Sequence, residues 1–104
     1  MSIERKLIIS LLKLTRHGPV LNELVSQDAH VASEIAANLL KYLKNNRLAY
    51  LRRNVVGADS FQRLKLAVRA LELGADLEQV SSYLQWKEFE DMAVIALERN
   101  GYST

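Results

Sequence analysis

Cysteine is absent from the 104-residue chain. Its absence excludes a disulfide framework, a thiol nucleophile and any Cys-ligated zinc or iron–sulfur site. Proline occurs once and glycine four times, so backbone breakers are few and divide the chain into separate periodic segments. Long apolar runs are missing as well. Stretches such as Leu7–Ile9 fall far short of the ~20 residues that span a bilayer. Charges at Glu4, Arg5 and Lys6 precede an apolar stretch, as in a signal peptide, but Ser10 and Lys13 interrupt it and no small-residue cleavage site follows. That segment reads as a helix, and the chain as cytoplasmic. No glycine-rich phosphate loop and no nucleophile elbow occurs. The two histidines, His17 and His30, stand thirteen residues apart without an i,i+4 partner, which is not metal-site spacing. No catalytic residue, metal, cofactor, small-molecule substrate or membrane contact is therefore expected.

Hydrophobic residues make up 49 % of the chain and charged residues 25 %, ordinary for a folded domain and too apolar for disorder. The net charge is only +2, yet it is unevenly placed. From Lys41 to Arg69 eight bases face one acid, Asp59. From Ala70 to Thr104 seven acids face Lys87 and Arg99, while residues 1–40 balance at four each. A basic centre followed by an acidic end predicts an anionic partner for the centre.

Apolar periodicity supplies the elements. Ile3, Leu7, Leu11 and Leu14 recur at spacings of three and four within Ser2–Arg16, one helical stripe with Ser2 as N-cap. Gly18 and Pro19 end it. Val20 to Val25 reads as a short second helix and Ser26 to His30 as a turn. A third helix is predicted over Ser33–Asn45, with Ile35, Leu39 and Leu43 as its apolar stripe and Ser33 as N-cap. The period then changes. Leu48–Arg52 and Val55–Val56 have strand composition, and Arg53-Asn54 between them suits a tight hairpin because asparagine tolerates positive φ. Asp59 or Ser60 caps the next helix, whose stripe is Phe61, Leu64, Val68 and Leu71 and whose end is Gly74. Asp76 caps a short helix holding Leu77, Val80 and Leu84. Phe89, Met92, Ala93, Ala96 and Leu97 mark a last helix, closed by Asn100-Gly101.

The class is therefore mainly α. Helix, helix, turn, helix, hairpin is the order of a winged helix-turn-helix. Three helices plus a short β-hairpin fill residues 1–60, and additional C-terminal helices follow over 61–104. In that arrangement the third helix enters the DNA major groove and the hairpin lies on the backbone or minor groove. The basic segment covers both, so pattern and charge agree on a nucleic-acid surface.

On the third helix Glu34, Asn38, Lys41 and Asn45 share one stripe. Asn38 suits bidentate pairing with adenine, and Lys41 suits guanine or phosphate. Arg52 and Arg53 stand at the hairpin tip, where they suit phosphates and a narrow minor groove. The DNA-contact set is Ser33, Asn38, Lys41, Lys44, Arg47, Arg52 and Arg53. Arg63, Lys65 and Arg69 are secondary candidates, since Arg63 and Lys65, two residues apart on one helix, cannot both face the same way. His30, ahead of the third helix, is placed to touch a phosphate. Other readings stay open: Asn38 and Glu34 also fit an ordinary solvated helix face, and Arg52 and Arg53 also fit protection of a strand edge. Tyr42, Tyr50 and Tyr83 fit core positions with an exposed hydroxyl better than stacking platforms.

Near the C-terminus the string Trp86-x-x-Phe89-Glu90, followed by Ile95-x-Leu97-Glu98-x-Asn100-Gly101-Tyr102, resembles the opening helix of restriction-endonuclease-like domains. These are the Mrr-like and archaeal Holliday-junction-resolvase-like nucleases of the PD-(D/E)xK superfamily. The resemblance implies the winged-helix N-terminal region of such a protein. Its last helix (86–100) would open a nuclease domain whose Asp and Glu-x-Lys strands follow Thr104. In some members the Glu that matches Glu90 assists metal binding. The chain itself holds no Asp…Glu-x-Lys set to bind Mg²⁺ and position water, so no cleavage is expected of it, and Glu90 also reads as a solvent-facing helix residue.

The expected function is binding of double-stranded or branched DNA through largely non-specific phosphate contacts, so as to place a nuclease-like domain there. A non-catalytic dimerisation or interaction module and a free-standing transcription regulator are the alternatives. Trp86, Phe89, Met92, Ile95 and Leu97 carry more apolar surface than a free tail tolerates. They predict packing on the first domain or in a homodimer.

Overall fold

The computed structural model describes residues 2–99, with the side chains at 86, 89, 92, 93, 96, 97 and 99 outside the description. Helix α1 spans Ile3–Leu14. Ser2 caps it as expected, its hydroxyl oxygen accepting from the Arg5 N–H at 3.3 Å. One turn of 3-10 helix, Thr15–His17, and Gly18 then lead the chain out.

Val20 does not begin the second helix. Val20–Leu21 form a strand, β1, with Val20 opposite Val56 and Leu21 opposite Val55. The ladder partner lies more than thirty residues away in sequence, so no local pattern reveals it. Helix α2 spans Asn22–Ala29, which overturns the turn expected at Ser26 to His30. Val25 and Ala29 are buried, and the Ser26 hydroxyl donates back to the Glu23 carbonyl at 2.9 Å. Only His30, at φ 56°, leaves the helix.

Helix α3 runs Ser33–Asn45 as predicted, but Ala32 holds the N-cap position and no side chain caps it. Ser33 is the first helical residue rather than the cap. The buried face also differs from expectation. Ala36, Leu40 and Leu43 are buried, whereas Ile35 is 45 % exposed. A helix packed on α2 turns its small Ala36 inward, and a reading by bulk alone misses that.

The hairpin pairs β2, Tyr50–Arg52, with β3, Val55–Gly57, around the two-residue turn Arg53-Asn54. Positive φ falls on Arg53, at 56°, and not on Asn54. The sheet is antiparallel in the order β1-β3-β2. Tyr50 lies opposite Gly57, and its ring covers the space a Cβ there would need.

Helix α4, Ser60–Glu72, opens with a capping box: the Gln62 N–H donates to Asp59 Oδ1 at 2.7 Å, and the Asp59 N–H to Gln62 Oε1 at 3.0 Å. Leu64, Leu66, Ala67, Val68 and Ala70 are buried, while Phe61, expected in the stripe, is 62 % exposed. Gly74, at φ 93°, follows α4. The Arg5 guanidinium donates to the Leu73 and Gly74 carbonyls at 3.3 and 2.9 Å. Asp76 caps α5, Leu77–Ser82, and α6 spans Trp86–Arg99. The expected Asn100-Gly101 cap lies outside the described residues, as do the side chains of Trp86, Phe89, Met92 and Leu97. Ile95 packs half-buried against the core.

That core is one cluster. Leu7, Ile8, Leu11 and Leu12 of α1 meet Val25, Leu40, Leu43 and Val56, and also Leu66, Val80 and Leu84. Helix α1 packs on α2 and on α4, and α6 packs on α4. Residues beyond 60 thus share the interior with those before. Among the described residues no helix is long and apolar enough to cross a membrane.

Candidate nucleic-acid interface

The structure divides the eight bases of the central segment into two groups. Arg63 is buried. Its Nη1 donates to the Leu12 carbonyl at 3.0 Å and to Thr15 Oγ1 at 2.8 Å, its Nη2 to the Tyr83 carbonyl at 2.7 Å, and its Nε stands 3.3 Å from Glu88 Oε2. Arg69 pairs with Glu4 at 3.1 Å, and this hydrogen bond holds its guanidinium above the ordinary arginine range. The Lys65 ammonium sits 4.5 Å from the centroid of the exposed Phe61 ring, a cation–π contact. These three secondary candidates therefore answer to partners within the fold.

The other five, Lys41, Lys44, Arg47, Arg52 and Arg53, are all exposed. Among the described residues none of them forms an ion pair. They occupy residues 41–53, a stretch without an acid. Lys6 and Arg16 also lack an ion-pair partner among the described residues, but belong to α1 and its exit. Five like charges so close together repel one another in the free protein, and an anion relieves that repulsion.

Helix α3 presents most of this set. Glu34, Asn38, Lys41 and Asn45 are exposed on the stripe opposite Ala36, Leu40 and Leu43, with Ser33, Ala37 and Lys44 on one flank. On the other flank stand Ile35 and, two turns later, Tyr42, 48 % exposed. Tyr42 and Tyr50 are thus surface residues rather than core, while Tyr83 is half-buried. A groove of about 300 Å³ separates the start of α2 from the first turns of α3, with Asn22, Ser33, Ala37 and Asn54 among its walls. The Asn22 N–H donates to the Asn54 carbonyl at 2.8 Å. This bond ties the hairpin tip to the start of α2, and both line the groove together with the first turns of α3. The α3 N-terminus has no side-chain cap, so its first N–H groups lack that partner.

Backbone conformation singles out two of the five bases. Arg47 and Arg53 have φ of 61° and 56°, shared by His30 alone among the other described non-glycine residues. At Arg47 the chain closes α3 with two bonds, Leu48 N–H to the Leu43 carbonyl at 2.9 Å and Arg47 N–H to the Lys44 carbonyl at 3.0 Å. Glycine usually serves at this position, as Gly74 does after α4 with Ala75 N–H to the Ala70 carbonyl at 2.9 Å. An L-residue held there costs about 1–2 kcal/mol. No sequence pattern announced either arginine as left-handed.

Among the described residues no three His, Asp or Glu side chains are gathered to hold a metal ion. Of the acidic residues on α6, Glu88 is committed to Arg63 and Glu90 is exposed. Comparison with protein-family models, with curated proteins and with solved structures yields no match to this chain.

Proposed function

We propose that the chain is a winged helix-turn-helix module that binds duplex or branched DNA, chiefly through its phosphates. The observation that carries this reading is the set of five exposed bases at 41–53, gathered on α3 and the hairpin without an ion-pair partner among the described residues. Topology supports it. The turn His30–Ala32 between α2 and α3 has the three-residue length usual in a helix-turn-helix. The β2–β3 hairpin follows α3 and pairs with β1. In this reading α3 enters the major groove with Ser33, Asn38 and Lys41 towards the bases, and Arg53 forms the wing tip.

Each phosphate neutralised adds ~0.9 to the log–log salt slope, so five phosphates give about −4.5. Most of that energy is blind to sequence. The α6 segment would connect the module to a nuclease-like domain, and a homodimer would set two copies of α3 one DNA turn apart. The test is a titration of labelled random-sequence duplex between about 50 and 200 mM salt. Micromolar binding with a slope of about −3 to −5 is expected; no binding at about 50 mM salt removes the reading.

A dimerisation or interaction module is the second reading. Phe61 and Leu77, 62 % and 55 % exposed, favour it. A concentration-dependent dimer that ignores DNA would establish it in place of the first.

A further inference from the structure

An exposed Ile in the first turn of α3 has no task on a purely electrostatic surface. Lys41, Lys44, Arg47, Arg52 and Arg53 suffice for phosphates, and Asn38 has donors and acceptors for a base edge. Ile35 is nevertheless 45 % exposed, and Tyr42 repeats its position two turns on at 48 %. The outward side of α3 therefore carries two rows, a polar one through Glu34, Asn38, Lys41 and Asn45, and an apolar one through Ile35 and Tyr42. Burying an exposed Ile side chain is favourable wherever a matching apolar group exists. The major groove of B-DNA displays one such group, the 5-methyl of thymine.

Spacing sharpens the match. Asn38 follows Ile35 by three residues, so the two side chains are neighbours on the helix surface, about 5–6 Å apart. Asparagine pairs with the N6 and N7 atoms of adenine. A helix that offers an apolar tip and a carboxamide side by side fits a thymine methyl and an adenine edge within one or two stacked pairs. We propose that Ile35 reads a thymine methyl group beside the base met by Asn38, so that the preferred site of this chain is fixed at A·T pairs. The inference rests on the DNA reading above and adds the base class that the module recognises.

The experiment begins with duplexes selected by the full chain from a random library. Each thymine of the selected site is then replaced in turn by uracil, which keeps the base pair and removes the methyl. The wild-type chain is expected to lose about fourfold in affinity at one thymine, the value of a single buried methyl group. Ile35→Ala is expected to bind the thymine and uracil forms equally, with its salt slope unchanged. Wild-type binding that is indifferent to uracil at every position overturns the inference and leaves the DNA reading standing, and so does selection without a fixed A·T pair. Failure to bind any duplex removes the reading beneath it. A uracil-insensitive chain whose Ile35→Ala variant changes from dimer to monomer assigns the apolar row to a second copy instead. The decisive comparison uses the wild-type protein, so poor folding of the variant cannot mask it.

Discussion

Glu88 of α6 meets the Arg63 guanidinium of α4 at 3.3 Å, with the two side chains only 7 % and 5 % exposed. Its other oxygen accepts from the Gln85 N–H at 3.0 Å. One carboxylate thus satisfies the start of α6 and neutralises a cation inside the fold. Removing either partner of a buried pair leaves an uncompensated charge and costs about 3–5 kcal/mol, whereas replacing both by apolar groups costs far less. Guanidinium unfolding should show Glu88→Ala destabilised by about that amount. Arg63→Met with Glu88→Leu should recover only part of it, because the double change also removes the bonds to Leu12, Thr15, Tyr83 and Gln85. Arg63 and Lys41 fall in the same run of bases in the sequence but do different work. Folded Glu88→Ala should therefore bind duplex DNA as the wild type does.

A second prediction separates the bases that face solvent from those with partners inside the fold. Lys41→Ala, or Arg52→Ala with Arg53→Ala, should weaken duplex binding and reduce the salt slope by ~0.9 for each phosphate no longer neutralised. Lys65→Ala removes the cation over Phe61 and Arg69→Ala removes the partner of Glu4. Neither should change the slope. If the two groups shift it equally, the interface extends over α4 and the division drawn from the ion pairs is wrong.

The third prediction concerns pH. Burial works to raise the Asp28 carboxyl, but the Lys13 ammonium at 2.7 Å and the Ser10 hydroxyl outweigh it, so Asp28 lies below its ordinary range. The hydrogen bond to Asp28 in turn holds Lys13 above its own. The depressed carboxyl contributes stability above its unfolded value and loses it as pH falls through the folded one. The raised ammonium contributes below its unfolded value and loses that as pH rises through the folded one. The side chains are 41 % and 27 % exposed, so water limits the pair to about 0.5–1 kcal/mol. Asp28→Asn should lower Tm at neutral pH. Across an acid-to-alkaline range the gap should narrow at both ends, as pH falls through the depressed Asp28 carboxyl and as it rises through the raised Lys13 ammonium. A gap that stays constant across that range would assign the effect to packing rather than charge.

Several features that depended on local periodicity or local capping were legible in the sequence, although the cap expected of Ser33 and the turn expected at Ser26 to His30 were not borne out. Ser33–Asn45 has both ends where the pattern puts them, and so do the Ser2, Asp59 and Asp76 caps and the two-residue turn. The pattern fails where a distant partner decides. β1 exists because Val55 and Val56 lie alongside Val20–Leu21, and α2 begins two residues late for the same reason. Bulk alone puts Ile35 and Phe61 in the interior, yet Ala36 and Arg63 occupy the faces turned inward. The interface is legible as a run of bases but not in extent. Whether an arginine is free or paired depends on residues such as Glu4 and Glu88, twenty-five or more positions away.

Arg47 and Arg53 allow a test in which stability and binding move in opposite directions. Both hold φ near 60°, where a side chain costs about 1–2 kcal/mol and glycine nothing. Glycine frees the unfolded chain and returns roughly 0.5–1 kcal/mol of that. Arg47→Gly keeps the backbone bonds from Leu48 and position 47 that close α3, so its unfolding free energy should equal the wild type or exceed it by up to about 1.5 kcal/mol. The same variant removes a base from the 41–53 set, so duplex affinity and salt slope should both fall. His30→Gly is the control. His30 has the same conformation and closes α2 with the equivalent bonds, Val31 N–H to the Ser26 carbonyl at 3.0 Å and His30 N–H to the Gln27 carbonyl at 3.2 Å, but stands outside the basic run. His30→Gly removes none of the five bases at 41–53, so it should match or gain stability with no change of slope. If Arg47→Gly gains stability and keeps full affinity, Arg47 leaves the interface and its backbone strain has no counterpart in binding.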